Sequence, residues 1–151
     1  MQTSRMPRLL VVHHTPSPNL QAVLEAVREG VAMVAEVELV VRPALSAGAA
    51  DLLQADGVLL GTPANIGYMS GALKHFFDTV YYPCLDATVG LPYGVYVHGG
   101  DDTAGALRAI ATITGALRWQ QVAAPLSLTG PPSRADLDAC RELAATVAVG
   151  L

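Results

Sequence analysis

The sequence is poor in charge. Only 15% of its 151 residues are Asp, Glu, Lys or Arg, and the net charge is −4. It therefore lacks the clustered cations on which binding to a nucleic-acid backbone depends. Cysteine is scarce as well. Cys84 and Cys140 stand far apart with no CxxC pair and no His-rich neighbourhood, which leaves them as buried or incidental small side chains. No apolar run approaches the roughly 18 to 20 uncharged residues needed to span a bilayer, and Ala144 to Leu151 is too short to do so. The start, Met1-Gln2-Thr3-Ser4-Arg5, has no run like the apolar core of a signal peptide. These absences point to a soluble, reduced, cytoplasmic protein without a membrane span or a nucleic-acid partner. No repeat, low-complexity tract or linker divides the chain, so one domain over residues 1–151 is expected.

What the sequence has is apolar material, 52% of it, arranged in five short runs that alternate with segments of helical period. That alternation predicts an α/β protein with a parallel sheet covered on both faces. The runs are Leu9 to Val12, Val37 to Val41, Gly57 to Gly61, Tyr93 to Val97, and a weak one at Gln121 to Ala124. The second is the most polar and is expected at the sheet edge. Leu20, Val23, Leu24, Val27 and Val31 fall on one face of a helix that Ser17-Pro18 would cap and begin. Ser46 to Gln54 predicts a short second helix. Met69, Leu73, Phe76, Phe77 and Val80 predict a third, with Ser70 near its start and Tyr82-Pro83 at its end. Leu107, Ile110, Ile113, Thr114 and Leu117 predict a fourth, opened by Asp102 or Thr103. Leu137 to Val147 predicts a fifth, capped by Ser133 after Gly130-Pro131-Pro132.

In such a sheet the strand-to-helix loops open on one edge, and ligands settle where the strand order reverses. Three of these loops have unusual composition. After the first strand, Thr15-Pro16-Ser17-Pro18-Asn19-Leu20 brings hydroxyl and amide groups to a helix N-terminus, where unpaired N–H groups and the helix dipole favour an anion. The alternative is a capped turn that binds nothing. No GKS or GKT lysine is present, which excludes a nucleoside-triphosphate loop and favours a monoester phosphate. After the third strand, Thr62-Pro63-Ala64-Asn65-Ile66-Gly67-Tyr68-Met69 is flexible enough in backbone to lie against a planar ring, with Ile66, Tyr68 and Met69 as apolar or stacking surface. Ile66 and Met69 also fit a hydrophobic staple turned into the core. After the fourth strand, His98-Gly99-Gly100-Asp101 offers backbone N–H groups. Asp101 and Asp102 read as helix caps, and no metal site is expected. His13, His14, His75 and His98 carry no HxH or HExxH pattern.

The stretch from Gly61-Thr62-Pro63 through Met69-Ser70-Gly71-Ala72-Leu73-Lys74-His75-Phe76-Phe77-Asp78 resembles the second flavin loop of the flavodoxin-like NAD(P)H-dependent FMN and quinone reductases. His98-Gly99-Gly100 resembles that family's third loop, and the order of loops agrees over nearly the whole chain. The resemblance implies a flavodoxin-like, three-layer, doubly wound fold: a five-stranded parallel sheet of order 2-1-3-4-5. It implies FMN as cofactor, NAD(P)H as transient reductant, and a quinone or similar small molecule as electron acceptor. The flavin would carry the redox chemistry, so no side chain need act as a catalytic nucleophile. The three loops, Thr15 to Leu20, Thr62 to Met69 and His98 to Asp101, would hold the cofactor.

The first loop departs from the family pattern. It keeps Thr15, Ser17 and Asn19 but has Pro18 where glycine is usual and Leu20 where a hydroxyl residue is usual. Losing one hydrogen bond to a charged group costs on the order of 1.5 to 3 kcal/mol, about one to two decades in affinity. Two other readings stand beside the reductase: an electron-carrier flavodoxin, and a flavodoxin-fold protein that has lost its flavin and acts through protein contacts. A receiver domain is disfavoured because His13-His14 and Gly61-Thr62 stand where its acidic residues belong. No GxSxG supports an esterase. Apolar surface near Tyr81-Tyr82 or Trp119 suggests a homodimer or higher homo-oligomer.

Overall fold

A computed structural model describes residues 5–151; Met1 to Ser4, on which the expectation of no signal peptide partly rests, lie outside the described residues. The chain begins with β1 (Arg8–His13), α1 (Pro18–Ala32) and β2 (Glu38–Pro43). It continues with α2 (Ala49–Leu53), β3 (Gly57–Asn65), β4 (Tyr68–Met69), α3 (Gly71–Cys84) and β5 (Pro92–Gly99). It closes with α4 (Ala104–Ala116), β6 (Gln120–Gln121), β7 (Leu126–Thr129) and α5 (Arg134–Val149). The main sheet runs β2-β1-β3-β5-β6, with β7 also on β5 and every one of these pairings parallel. This is the expected 2-1-3-4-5 order, with β6 and β7 sharing the fifth position. The polar second strand is at the edge, as its composition implied.

Because successive strand residues point to opposite faces, the apolar runs divide between two cores. Leu9, Val11 and Leu59 pack with α1 and α5 residues such as Val23, Val27, Ala144 and Val147. Leu10, Val12, Val58 and Leu60 pack with Leu73, Phe76, Phe77 and Ile110 of α3 and α4. Cys84 lies in the second of these cores and Cys140 in the first, on opposite faces of the sheet; both are buried and free. Leu9 to Val12 are all 0% exposed, and burial of each such aliphatic side chain contributes about 1.5 to 3 kcal/mol before chain entropy is set against it.

Local signals placed most helix ends. Ser17 Oγ accepts the N–H of Leu20 at 3.2 Å and Pro18 opens α1, while Ser133 and Asp136 form the reciprocal capping box of α5. Four expectations shift. The fifth strand is not continuous over Gln121 to Ala124: the Val122 N–H still bonds Tyr93 O at 3.1 Å, but Ala123 to Pro125 leave the ladder before β7, and Pro125 has no N–H to donate. The second helix is shorter than Ser46 to Gln54, because Pro43 O takes the N–H groups of Ser46 and Ala47 in a turn first. Met69 belongs to β4 rather than the third helix, which runs past Pro83 to Cys84. Trp119 is a core residue instead of an interface: its indole N–H donates to Thr88 Oγ1 at 2.8 Å and its ring packs on Phe77 and Tyr93. Tyr82 stays exposed. Among the described residues no helix is long and apolar enough to cross a membrane.

Candidate functional site

Strand register brings the three loops together. His13 lies beside Gly61 on β3, and Pro63 lies beside His98 on β5, so the ends of β1, β3 and β5 form one edge. Gly61 has no room for a side chain, since a Cβ there would fall 2.0 Å from the Tyr96 ring. β3 outruns β1 and turns back as the hairpin β3–β4, with Ala64 opposite Met69 and Asn65 opposite Tyr68. The two turn residues, Ile66 and Gly67, have φ of 50° and 73°, the left-handed pair of a tight hairpin turn. That conformation is costly for a β-branched side chain, and Ile66 is fully exposed as well. The hairpin base is pinned by Thr62 Oγ1, which accepts the N–H of Ser70 at 3.0 Å and donates to Pro63 O at 2.8 Å.

At this edge lies a cleft of about 390 Å³. Pro16, Ser17, Asn19 and Leu20 form one end of it, Pro63, Ala64 and Asn65 one wall, and His98, Gly99 and Gly100 the other. No Asp, Glu, Lys or Arg side chain is among its lining residues. Gly99 keeps the walls apart, because a Cβ there would lie 3.3 Å from Ala64 Cβ and 3.1 Å from Thr103 Cγ2. Gly100 faces open space. Gly130, after β7, also lines the cleft. Its sequence signal was the turn Gly130-Pro131-Pro132, legible as a helix entry and not as part of a site. His98 Nε2 is 2.7 Å from Gly130 O; a carbonyl only accepts, so Nε2 carries the proton and Nδ1 is left as an acceptor when the ring is neutral.

Other residues singled out in the sequence sit differently. Thr15 Oγ1 is hydrogen-bonded to His13 Nδ1 at 2.7 Å, and burial, with His14 and Arg28 nearby, pushes the His13 pKa down. The Thr62 hydroxyl is fully used inside the hairpin, and the Met69 and Leu20 side chains are in the core; the Leu20 N–H is itself taken by Ser17 Oγ. Asp102 Oδ1 accepts the N–H of Ala104, the first residue of α4, while Asp101 Oδ1 accepts that of Asp102 in the turn before the helix, whose N-cap Thr103 makes no side-chain capping bond. Pro18 opens α1, Ile66 projects into solvent, and Gly67 and Tyr68 face away from the cleft into a separate groove beside α3 and α4. Among the described residues no three His, Cys, Asp or Glu side chains converge as a metal site would require.

The donor set suits a particular kind of molecule. Two narrow walls of proline, alanine, glycine and backbone amide groups suit a planar, uncharged ring with polar edges. The N-terminus of the 15-residue α1, with the Ser17 hydroxyl and the Asn19 amide, suits one anionic group at the end of that molecule. FMN, a flat ring carrying one phosphate, fits both halves.

Comparison with known proteins agrees with this geometry. A family model described as NADPH-dependent FMN reductase matches residues 31–128. A flavodoxin from Aquifex aeolicus is 35% identical over 75 residues, which is 50% of this chain and 40% of that protein; the match thus spans less than half of that relative's length. Among solved structures, an archaeal flavodoxin superposes with a TM-score of 0.83 at 20% identity over 95% of this chain and 97% of that one. A WrbA-like flavodoxin from Agrobacterium tumefaciens superposes with a TM-score of 0.76 at 19% identity, covering 96% of each chain. These structural likenesses establish the flavodoxin fold, and the family match spans most of the chain: the protein belongs to the NADPH-dependent FMN reductase family and has a flavodoxin-like fold.

Proposed function

We propose that this protein binds FMN in the cleft at the sheet edge and transfers reducing equivalents from NAD(P)H to a quinone or similar small acceptor. The observation that carries this reading is the uncharged, glycine- and proline-walled cleft that ends on the α1 N-terminus. When bound, FMN would supply the redox chemistry between a nicotinamide and an acceptor. The chain's own residues bind and orient. The Ser17 and Asn19 side chains and the backbone N–H groups of Thr15, Ser17 and Asn19 hold the phosphate, with Pro16 and Pro18 fixing the loop's φ angles. Pro63-Ala64-Asn65 on one side and His98-Gly99-Gly100 on the other flank the ring. The Gly130 carbonyl fixes the His98 tautomer, so that Nδ1 of the neutral ring presents an acceptor.

No cation lines the phosphate end, so affinity depends on neutral donors. Titrating the purified chain with FMN and following quenching of flavin fluorescence tests the cofactor assignment. Saturation in the micromolar range is expected, with Ser17→Ala weaker by about one to two decades for a lost hydrogen bond to a charged group. Absence of binding at high micromolar FMN sinks the assignment.

The local likeness to the Aquifex flavodoxin favours a second reading, an electron carrier. NADPH oxidation with a quinone or free flavin and no partner reductase separates the two, since a carrier turns over negligibly. Two buried, free cysteines on opposite faces of the sheet suit a reducing compartment, consistent with a place in the cytoplasm.

A further inference from the structure

On the far side of the β3–β4 hairpin from the flavin cleft lies a second depression, of about 410 Å³. The hairpin tip contributes Gly67 and Tyr68, α3 contributes Lys74, and α4 contributes Arg108, Thr112 and Ile113. The tip is seated directly on the first turn of α4: a Cβ at Gly105 would fall 1.9 Å from Gly67 O, so glycine is what permits the contact. The two depressions share this hairpin as a wall. Asn65 lines one and Gly67 the other, a step of two residues, or roughly 7 Å of strand.

The charges are distributed unevenly. Of nine Lys and Arg residues, Arg5, Arg8, Arg42, Lys74, Arg118 and Arg141 engage carboxylates. Arg28, Arg108 and Arg134 have no such partner among the described residues, and of these Arg108 lines the depression. Lys74, across from it, is shared with Asp78 Oδ1 at 2.7 Å and adds only a partly neutralised charge. A guanidinium without a partner matches the paired oxygens of a phosphate. Beside it are the half-exposed ring of Tyr68, 41% accessible, the apolar Ile113 and the exposed Thr112 hydroxyl. An aromatic face, an apolar floor and one free guanidinium together suit a purine nucleotide.

We infer that this groove binds the adenosine-phosphate end of the nicotinamide dinucleotide, with Arg108 taking a phosphate and Tyr68 the purine, while the nicotinamide reaches over the hairpin to the flavin cleft. The inference rests on the NAD(P)H reading above and gives that substrate a second point of attachment.

Isothermal titration calorimetry with adenosine 2′,5′-bisphosphate tests the groove without flavin. Saturable binding is expected in the wild type, at least tenfold weaker in Arg108→Ala, intermediate in Arg108→Lys, and unchanged in Ser17→Ala. Equal binding by wild type and Arg108→Ala, or no saturable binding at millimolar ligand, overturns the inference. In the FMN-loaded protein, Arg108→Ala should raise KM for NADPH about tenfold with kcat kept, and leave the reaction with reduced nicotinamide mononucleotide, which has no adenosine end, unchanged. An equal loss with both reductants also overturns it. Arg108 is exposed on α4, and a thermal melt confirms that its variants fold. FMN titration remains a separate readout: its failure removes the flavin function, while the calorimetry still decides the groove.

Discussion

The two helical layers cover the sheet in different ways. Below it, α1 and α5 are pressed together so closely that a Cβ at Gly30 would fall 2.3 Å from Arg141 O and 2.8 Å from its Cα. Above it, α3 and α4 close on Phe77, Ile110 and Trp119 at the core but stand apart near the hairpin, leaving the groove lined by Lys74 and Arg108. One layer is sealed and the other is open toward the edge that carries the site. Helices that meet through backbone and glycine have no slack, whereas helices spaced by large side chains leave hollows where those side chains end.

The largest expected effect breaks the sealed side. Gly30→Val forces α1 off the α5 backbone and should cost about 3 kcal/mol, the upper range for overpacking; an unchanged midpoint of chemical denaturation removes the claim of a sealed layer. Gly105→Ala attacks a point where the open side is tight, the contact of α4 with the hairpin tip. A turn yields more easily than two packed helices, so the cost should be about 1 to 2 kcal/mol, together with weaker FMN binding in the titration above because the hairpin is also a wall of the cleft. Stability lost with flavin affinity intact would show that the cleft does not depend on the hairpin's seat. The smallest effect sharpens the picture. Tyr96, in the α1–α5 core, is fully buried and its hydroxyl has no hydrogen-bond partner, and burial pushes its pKa well above the ordinary tyrosine range. Tyr96→Phe removes an unsatisfied polar atom and should gain about 1 kcal/mol, a rise in Tm of roughly 2 to 4 °C for a chain of this size. A lower Tm would mean that the hydroxyl has a partner in solution.

The parts of the site legible in the sequence were those with local causes. Ser17-Pro18 capped and opened α1 as their chemistry requires, and Gly99-Gly100 marked a strand end that needs room for a close wall. By composition alone the Thr62 to Met69 loop is one surface, with Gly67 and Tyr68 against a planar ring. The hairpin gives it two sides, and these residues face the second. The turn at Ile66-Gly67 carried no Asn-Gly or Asp-Gly signal, so the reversal that produces β4 was not visible. Trp119 resembled an interface residue because only packing shows that Thr88, Phe77 and Tyr93 enclose it. The family match begins at residue 31, beyond the Thr15 to Leu20 loop, so the atypical Pro18 and Leu20 lie outside it and are judged on their geometry alone.

The sequence by itself determined the class of fold, the edge strand, the helix caps and the three loops that meet, because periodicity, capping and turn chemistry act over a few residues. Tertiary structure decided the split fifth strand, the two-sided hairpin, the Gly130 carbonyl on His98 and the unpaired Arg108 in a groove. Each depends on which distant residues arrive beside one another, and no local pattern encodes that.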